Sequence, residues 1–259
     1  MRNSRGPALS FLNMSLENKV FLISGAIVVI SAILLLPAGS IFVSGQSLEK
    51  FIPLGASGIF VYIISSLILL YLGIKLAVYT RSYDFPFIRR ILTKASLRNN
   101  LLDALKHSLF SAIIVWLALI GIRNIFSSFL KTLPYSFYYS YNNIFHLLAV
   151  NWSSSLFEEI AFHLFLFNLF LLIFGFVKPK HLRSFLAYLL TAVVFSFYFI
   201  PEMLGVLSVP QIMEVPHSLI LSLFVYNGTL GVVLNILYRK EGLESAVIAH
   251  FVLNLLLRM

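Results

Sequence analysis

The sequence predicts an all-α fold, a polytopic membrane bundle of about seven transmembrane helices, with six to eight compatible with the pattern. Three observations lead to this prediction: 59% of the 259 residues are apolar, only 11% are charged, and the mean hydropathy is +0.93. Soluble domains carry roughly 25% charged residues, so this chain has too few ions to cover a water-exposed surface. Disorder is excluded as well, because disordered segments combine low hydrophobicity with high charge.

The net charge of +9 arises from 19 Lys and Arg residues against 10 Asp and Glu. In a membrane protein such an excess is the normal orientation signal, since cytoplasmic loops are enriched in Lys and Arg. We therefore expect contact with membrane lipid and no nucleic-acid partner. Cysteine is absent, which excludes a disulfide, a thiolate nucleophile and a cysteine-ligated metal within the chain.

Seven apolar runs come close to the roughly 20 residues that span a hydrocarbon core. The predicted helices cover residues 20–43, 51–79, 107–130, 144–177, 184–200, 215–238 and 243–257. The first run is longer than a signal-peptide core and follows a 19-residue head, so we expect a transmembrane helix there. The fourth run is either one tilted helix or two pieces broken near residues 151–155. The fifth stops at Pro201, since the residue before a proline disfavours helix.

These runs divide the chain into three predicted regions. Residues 1–19 form a cytoplasmic N-terminal segment, residues 20–142 hold three transmembrane helices with a basic cytoplasmic loop at 80–106, and residues 143–259 form a C-terminal core. The Tyr-rich connection 131–143 is predicted to lie at the membrane–water interface. The sequence shows no internal repeat and no soluble domain, so we expect the function to lie inside the bundle.

Basic residues collect on one side of the membrane when seven helices alternate from an N-terminus on the inner side. The inner side then holds Arg2, Arg5, Lys19, Arg81, Arg89, Arg90, Lys94, Arg98, Lys106, Lys178, Lys180, Arg183, Arg239 and Lys240. The outer side holds Lys50, Lys131 and Arg258, and the connection between the fifth and sixth helices has no base. This bias predicts a cytoplasmic N-terminus.

Glu158 and Glu159 are adjacent carboxylates in the middle of the fourth apolar run. A single charged residue at mid-membrane costs roughly 2.5–3.5 kcal/mol even on lenient insertion scales, so two in succession need compensation. One of them could be protonated and hydrogen-bonded as a purely structural group. Intramembrane ionisable residues are functional by default, however, and the pair is therefore the first candidate for a site.

A polar stripe runs along the same segment. Asn151, Ser155, Glu159 and His163 repeat at i+4 and so share one slowly drifting helix face, with Glu158 on the adjoining flank. His163 follows Glu159 by one turn, where it can hold the carboxylate ionised or relay its proton. We interpret this histidine as the partner of Glu159.

A second polar pair, His250 and Asn254, lies in the last helix, again at i+4 on one face. Alone this spacing is weak, because many helices contain it by chance and such residues can simply join helices by hydrogen bonds. Beside a buried Glu pair it suggests a hydrolytic set. A carboxylate would activate water, and the histidine and the amide would stabilise a developing oxyanion.

At these residues the chain resembles the CAAX prenyl protease and bacteriocin-processing (CPBP, or Abi) family of intramembrane proteases. That family carries three motifs, EExxxR, FxxxH and HxxxN, on its transmembrane helices. The run Glu158-Glu159-Ile160-Ala161-Phe162-His163 matches the first in part, and His250 with Asn254 matches the third in full. The approach from Gly231 to Ala249 is also similar. The resemblance covers about residues 144–257 and implies that residues 143–259 form a CPBP-like protease core.

Two departures from the family pattern bear on the chemistry. His163 stands where the family has arginine, and it lacks the bidentate guanidinium fork. In the second motif Phe195 keeps the Phe position, but Phe199 stands in the His position, and a phenyl ring neither accepts a proton nor binds a metal. His163 or His217 could substitute, and we expect His217 near the outer surface.

The resemblance implies a role for each matched residue. Glu158 would activate water with Glu159 as its partner, and His250 with Asn254 would form the oxyanion-binding side. A divalent metal such as zinc is a further option, because one or both glutamates together with His163 and His250 are ligands that zinc accepts. No HExxH or comparable spacing accompanies them.

Three functions follow as hypotheses. The first is an intramembrane endopeptidase acting on a lipidated protein, a membrane segment or a secreted peptide. The second is a degenerate family member that binds a peptide or membrane partner without cutting it, and Phe199 is the reason to consider it. The third is a proton- or cation-coupled transporter using the Glu pair, although the inverted repeats and broken helices of many transporters are not visible.

Overall fold

The computed structural model describes residues 14–35, 56–82, 85–93, 98–125, 144–201, 211–212 and 215–257. Within these ranges the regular structure is helical. The helices are α1 (Leu16–Leu35), α2 (Ala56–Thr80), α3 (Pro86–Leu92), α4 (Arg98–Ile125), α5 (residues 144–176), α6 (Lys180–Tyr198), α7 (His217–Glu241) and α8 (Leu243–Leu256). Most of segment 1–19, the Tyr-rich connection 131–143 and residues 202–210 lie outside the described residues.

Six of these helices, α1, α2, α4, α5, α6 and α7, are long and apolar enough to cross a membrane. Their outward faces carry large apolar side chains that are more than half exposed, as at Phe60, Phe110 and Phe145. Such surfaces suit lipid and not water. The seventh predicted helix also forms, but α8 has only 14 residues, about 21 Å at the α-helical rise. The prediction of a polytopic helical membrane bundle is confirmed.

Helix α5 lies at the centre of the bundle, where it packs against α1, α2, α6, α7 and α8. It is continuous, so the predicted alternative of a break near residues 151–155 is wrong. The irregularity lies further on, where an α-helical part, Ile144–Glu158, passes into a π-helical part, Glu159–Leu166, before α-helix resumes at Phe167–Ile173. The wider π turn begins at the second glutamate, and π segments occur frequently at functional sites.

A close helix contact supports the π segment. A Cβ placed on Gly73 of α2 would lie 2.7 Å from Leu164 Cγ, inside van der Waals distance. The missing side chain therefore lets α2 approach the π segment closely. At the end of α2, Thr80 donates to the side-chain oxygen of Asn168 at 2.8 Å, and Asn168 donates to the Tyr238 hydroxyl at 2.8 Å. These bonds connect α2, α5 and α7.

The basic connection 80–106 contains more helix than the sequence indicated. Residues Pro86–Leu92 form α3, and residues 98–106 already belong to α4. Helix α3 begins with proline at its first position, where the missing N–H costs nothing. Its Ile88 N–H donates to Glu244 Oε1 of α8 at 3.0 Å. The short helix is thereby attached to the turn at Gly242, whose φ of 93° is in the region that favours glycine.

Candidate active site

Glu159 joins two histidines from two helices in the interior of the bundle. Its side chain is fully buried, with Oε2 2.8 Å from Nδ1 of His163 in the next turn of α5 and Oε1 2.7 Å from Nδ1 of His250 in α8. Both histidines are buried to the same degree. One carboxylate therefore fixes the orientation of both imidazole rings.

Glu158 lies on the other side of the same imidazole. Its Oε2 is 3.5 Å from Nε2 of His250, so the two ring nitrogens of His250 face two different carboxylates. Glu158 is slightly exposed, at 7%, whereas Glu159 is at 0%. Because its contact with His250 is long and no other ion pair joins it within the described residues, Glu158 is the less engaged of the two carboxylates and the more accessible one.

The pattern of donors and acceptors requires protons within this cluster. Nε2 of His163 lies 3.3 Å from the carbonyl oxygen of Gly231, and a carbonyl only accepts, so this nitrogen carries a hydrogen. Nδ1 of His163 lies 2.8 Å from Oε2 of Glu159, and the two groups form an ion pair when the imidazole is protonated. The same reasoning applies to His250 between its two carboxylates. Protons shared with the histidines offset the cost of burying two acids.

Gly231 is a glycine because three helices converge at this point. A Cβ there would lie 3.2 Å from Cδ1 of Phe195 and 3.3 Å from Cα of Ala192, both in α6. The ring of Phe195 is in turn 6.1 Å from the ring of His163 and 6.2 Å from that of His250. Phe195 therefore forms the apolar wall against which both histidines pack.

Asn254 approaches α5 through a different residue. Its side-chain amide donates to Oγ of Ser155 at 3.1 Å, one turn before Glu159. Asn254 is only half-buried, and it follows His250 by one turn on the same face of α8. The second amide hydrogen of Asn254 is free of this bond. The five residues predicted from the sequence are thus brought together, four in direct contact and Asn254 through Ser155.

The two candidate substitutes for the second-motif histidine differ in placement. His163 contacts Glu159 directly, whereas His217 is the exposed first residue of α7, and no contact joins it to either glutamate within the described part of the chain. Phe199 follows the last residue of α6, and its ring lies 5.1 Å from that of Phe195. Phe199 thus packs on Phe195, which forms the apolar wall of the site.

The arrangement of the two glutamates, His163 and His250 also bears on the hypothesis that they bind a divalent metal. Among the described residues, no group of three or more His, Asp or Glu side chains is arranged to hold a metal ion. The proposed ligands face one another, since Nδ1 of both His163 and His250 points to Glu159.

Some members of the site could not be found from the sequence. The Gly231 carbonyl is a backbone group, and every helical residue has one. Ser155 was visible as part of the polar stripe, but its bond to Asn254 depends on how α5 and α8 pack. Phe195 was named only as a motif position, and its contact with both histidines follows from the convergence of α5, α6 and α8.

Comparison with known proteins agrees with the geometry. Residues 140–256 match a family model described as "Type II CAAX prenyl endopeptidase Rce1-like". No curated protein and no solved structure is significantly similar to the chain. The matched region contains Glu158, Glu159, His163, His250 and Asn254. Over residues 140–256 this membrane protein is therefore similar to the Rce1-like type II CAAX prenyl endopeptidase family, as the motif resemblance implied.

Proposed function

We propose that this protein is an intramembrane endopeptidase that hydrolyses a peptide bond in or next to the membrane with water activated by Glu158. The single observation that carries the proposal is the position of His250 between Glu158 and Glu159, with one ring nitrogen facing each carboxylate. A histidine held by one acid and directed at a second is an arrangement suited to moving protons. It lies within a domain whose family is one of peptidases.

The proposed reaction begins at Glu158. Its carboxylate takes a proton from a water molecule as the water oxygen attacks the scissile carbonyl carbon. The carbonyl oxygen becomes an oxyanion, to which Nε2–H of His250 and the free amide hydrogen of Asn254 donate. When the C–N bond breaks, the proton held by Glu158 passes to the leaving nitrogen. The products are a carboxylic acid and an amine, and Glu158 is again ionised.

Glu159 and His163 have supporting roles in this proposal. Glu159 holds Nδ1 of His250 at 2.7 Å, which fixes the ring so that Nε2 faces Glu158. His163 neutralises Glu159 from the opposite side at 2.8 Å. An orienting acid behind a histidine determines which ring nitrogen carries the proton. His163 thus supports the site in the absence of a second-motif histidine.

The family description and the membrane location favour a lipidated protein C-terminus as the substrate, with a membrane segment as the alternative. The basic connections between helices favour a cytoplasmic N-terminus, and residues 143–259 would be the protease core. A prenylated substrate would then meet the protein in the leaflet where cytoplasmic lipidated proteins reside.

The test is cleavage by the detergent-purified protein of a quenched fluorescent peptide that ends in a farnesylated cysteine and three further residues. Glu158→Ala and His250→Ala should each lower turnover by about 10²-fold or more. Glu17→Gln is the matched control, since it changes a carboxylate at the start of α1 away from the site. Equal turnover by wild type and both site variants would overturn the proposal. The same peptide without its lipid tests the substrate class.

A second function is favoured by one observation, the phenylalanine at position 199. A protein lacking the second-motif histidine could bind the peptide without cleaving it. In that case wild type would bind the farnesylated peptide and release no product, and Phe199→His would gain activity. Turnover by wild type at a rate that depends on Glu158 would exclude this alternative.

A further inference from the structure

Two fully buried polar side chains lie just behind the candidate site. Thr191 of α6 and Asn235 of α7 are both 0% exposed. Neither the Thr191 hydroxyl nor either polar atom of the Asn235 amide has a hydrogen-bond partner among the described residues. Buried polar groups are normally paired, and an unpaired one destabilises a fold.

Two polar residues near Thr191 and Asn235 do have hydrogen-bond partners. Asn168 of α5 is equally buried, and its amide bonds to Thr80, Ser82, Tyr238 and the carbonyl of Leu164. Ser196, in the same helix as Thr191, bonds to the carbonyl of Ala192 at 2.9 Å. Thr191 and Asn235 differ from these two neighbours, because none of their side-chain polar atoms has a hydrogen-bond partner among the described residues.

Contacts above and below Thr191 and Asn235 along the bundle axis define where the two residues lie. On one side, His163, Phe195 and Gly231 meet, with the rings of His163 and Phe195 6.1 Å apart and Nε2 of His163 3.3 Å from the Gly231 oxygen. Thr191 is one turn before Phe195 in α6, and Asn235 is one turn after Gly231 in α7. Both side chains therefore point at α5, and they lie about one helical turn beyond His163 in the direction of Phe167.

On the other side lies an aromatic layer. Phe167 of α5 stacks on Tyr188 of α6 at 5.1 Å and meets Tyr238 of α7 edge-on at 6.0 Å. Tyr188 is three residues before Thr191, and Tyr238 is three residues after Asn235. The two polar side chains are thus enclosed between the His163 level and the Phe167 level, where α5, α6 and α7 meet.

We propose that Thr191 and Asn235 form a buried water-binding site next to His163. A hydroxyl and an amide offer a bound water both donors and an acceptor, and buried waters typically make about three hydrogen bonds. Neither side chain carries a charge, so nothing at this level favours an ion over water. The site is separate from Glu158 and lies on the α6–α7 side of His163.

Its role rests on the proposed function. The 3.3 Å contact between Nε2 of His163 and the Gly231 carbonyl is long, so a water bound beside His163 would offer this nitrogen a second acceptor. A water there would solvate the Nε2–H of His163 and so help to hold the proton that neutralises Glu159. Thr191 and Asn235 are then positioning residues that act through His163, and their loss should lower kcat while leaving KM unchanged.

The experiment is X-ray hydroxyl-radical footprinting of the detergent-purified protein in H₂¹⁸O, which labels side chains next to bound water. Phe195 and Tyr238 adjoin the proposed site and are 0% exposed. They should incorporate ¹⁸O in wild type and several-fold less in Thr191→Val and Asn235→Leu. Thr229→Val is the matched control, because the Thr229 hydroxyl already bonds to Val225 within α7, and it should leave the labelling unchanged.

Thermal unfolding gives an independent readout. If water satisfies Thr191, Thr191→Val should leave the melting temperature unchanged or lower it. A raised melting temperature, or unchanged labelling of Phe195 and Tyr238, would overturn the water site. Because labelling needs no turnover, an inactive wild type with labelled Phe195 and Tyr238 would refute the endopeptidase and retain the water site. Should Asn235→Leu fail to fold, Thr191→Val and the wild-type labelling still decide the matter.

Discussion

Nδ1 of His250 lies 2.7 Å from Oε1 of Glu159, and this bond joins α8 to α5 in the interior of the bundle. The same carboxylate binds His163 through its other oxygen at 2.8 Å, whereas Glu158 touches His250 only at 3.5 Å. The two adjacent glutamates therefore differ in their contacts. On this difference rests our proposal that Glu159 positions the histidines and that Glu158 takes part in the chemistry.

The first prediction separates the two glutamates by stability. Glu159→Gln should lower both activity and the melting temperature, since removing one partner of a buried ion pair costs about 3–5 kcal/mol. Glu158→Gln should lower kcat by about 10²- to 10⁴-fold with a much smaller change in melting temperature. Thermal unfolding and turnover measured on the same preparations check this. A Glu159→Gln protein as stable and active as wild type would contradict the role given to Glu159.

The second prediction concerns the serine that binds Asn254. Ser155→Ala removes the acceptor of the Asn254 amide, whose bond is 3.1 Å long. A hydrogen bond of this kind contributes about 0.5–1.5 kcal/mol, so kcat should fall by about 3- to 10-fold through loss of amide orientation. Ser155→Thr keeps the hydroxyl and should retain most of the activity. Equal losses in the two variants would indicate a packing effect instead of an orienting bond.

The third prediction tests the close approach of α2 to the π segment. A methyl group on Gly73 would meet Leu164, so Gly73→Ala should destabilise the protein by about 1–3 kcal/mol through overpacking. Gly121 of α4 is the matched control, because a Cβ there would meet nothing within 4 Å. Gly121→Ala should be neutral or stabilising by up to about 1 kcal/mol, as expected when alanine replaces glycine in a helix. Thermal unfolding of the two variants measures the contrast.

Much of the fold could be predicted because the bilayer imposes it. Apolar runs near the length of the hydrocarbon core identified the six long helices, since a shorter or more polar run would not span, and α8 was found as a shorter apolar run. Glu158 and Glu159 were conspicuous for the same reason, as acids in an otherwise apolar helix. The i+4 spacing also put Glu159 and His163 on one face, and the structure has them 2.8 Å apart.

The remainder depends on packing between helices, which spacing within one helix does not record. The π segment Glu159–Leu166 consists of apolar residues around Glu159 and His163, a pattern that an ordinary α-helix also shows, so periodicity gave no sign of it. Helix α3 was overlooked because its few residues, with Arg89 and Arg90, resemble a basic loop. The partnership of Ser155 with Asn254 arises only because α8 crosses α5 at that turn.

The last prediction concerns the attachment of α3 to α8. The backbone N–H of Ile88, in the first turn of α3, donates to Oε1 of Glu244 at 3.0 Å, so α8 supplies an acceptor that α3 lacks. In Glu244→Ala this N–H loses its acceptor, and amide exchange in residues 86–93 should become faster. Hydrogen-exchange mass spectrometry measures that change directly.

Glu241→Ala is the control, because Glu241 pairs with a largely exposed His107 at 3.2 Å and such surface pairs contribute little. Unchanged exchange in residues 86–93 of Glu244→Ala would mean that apolar contacts of Phe85 and Ile88 with the bundle suffice to hold α3 in place.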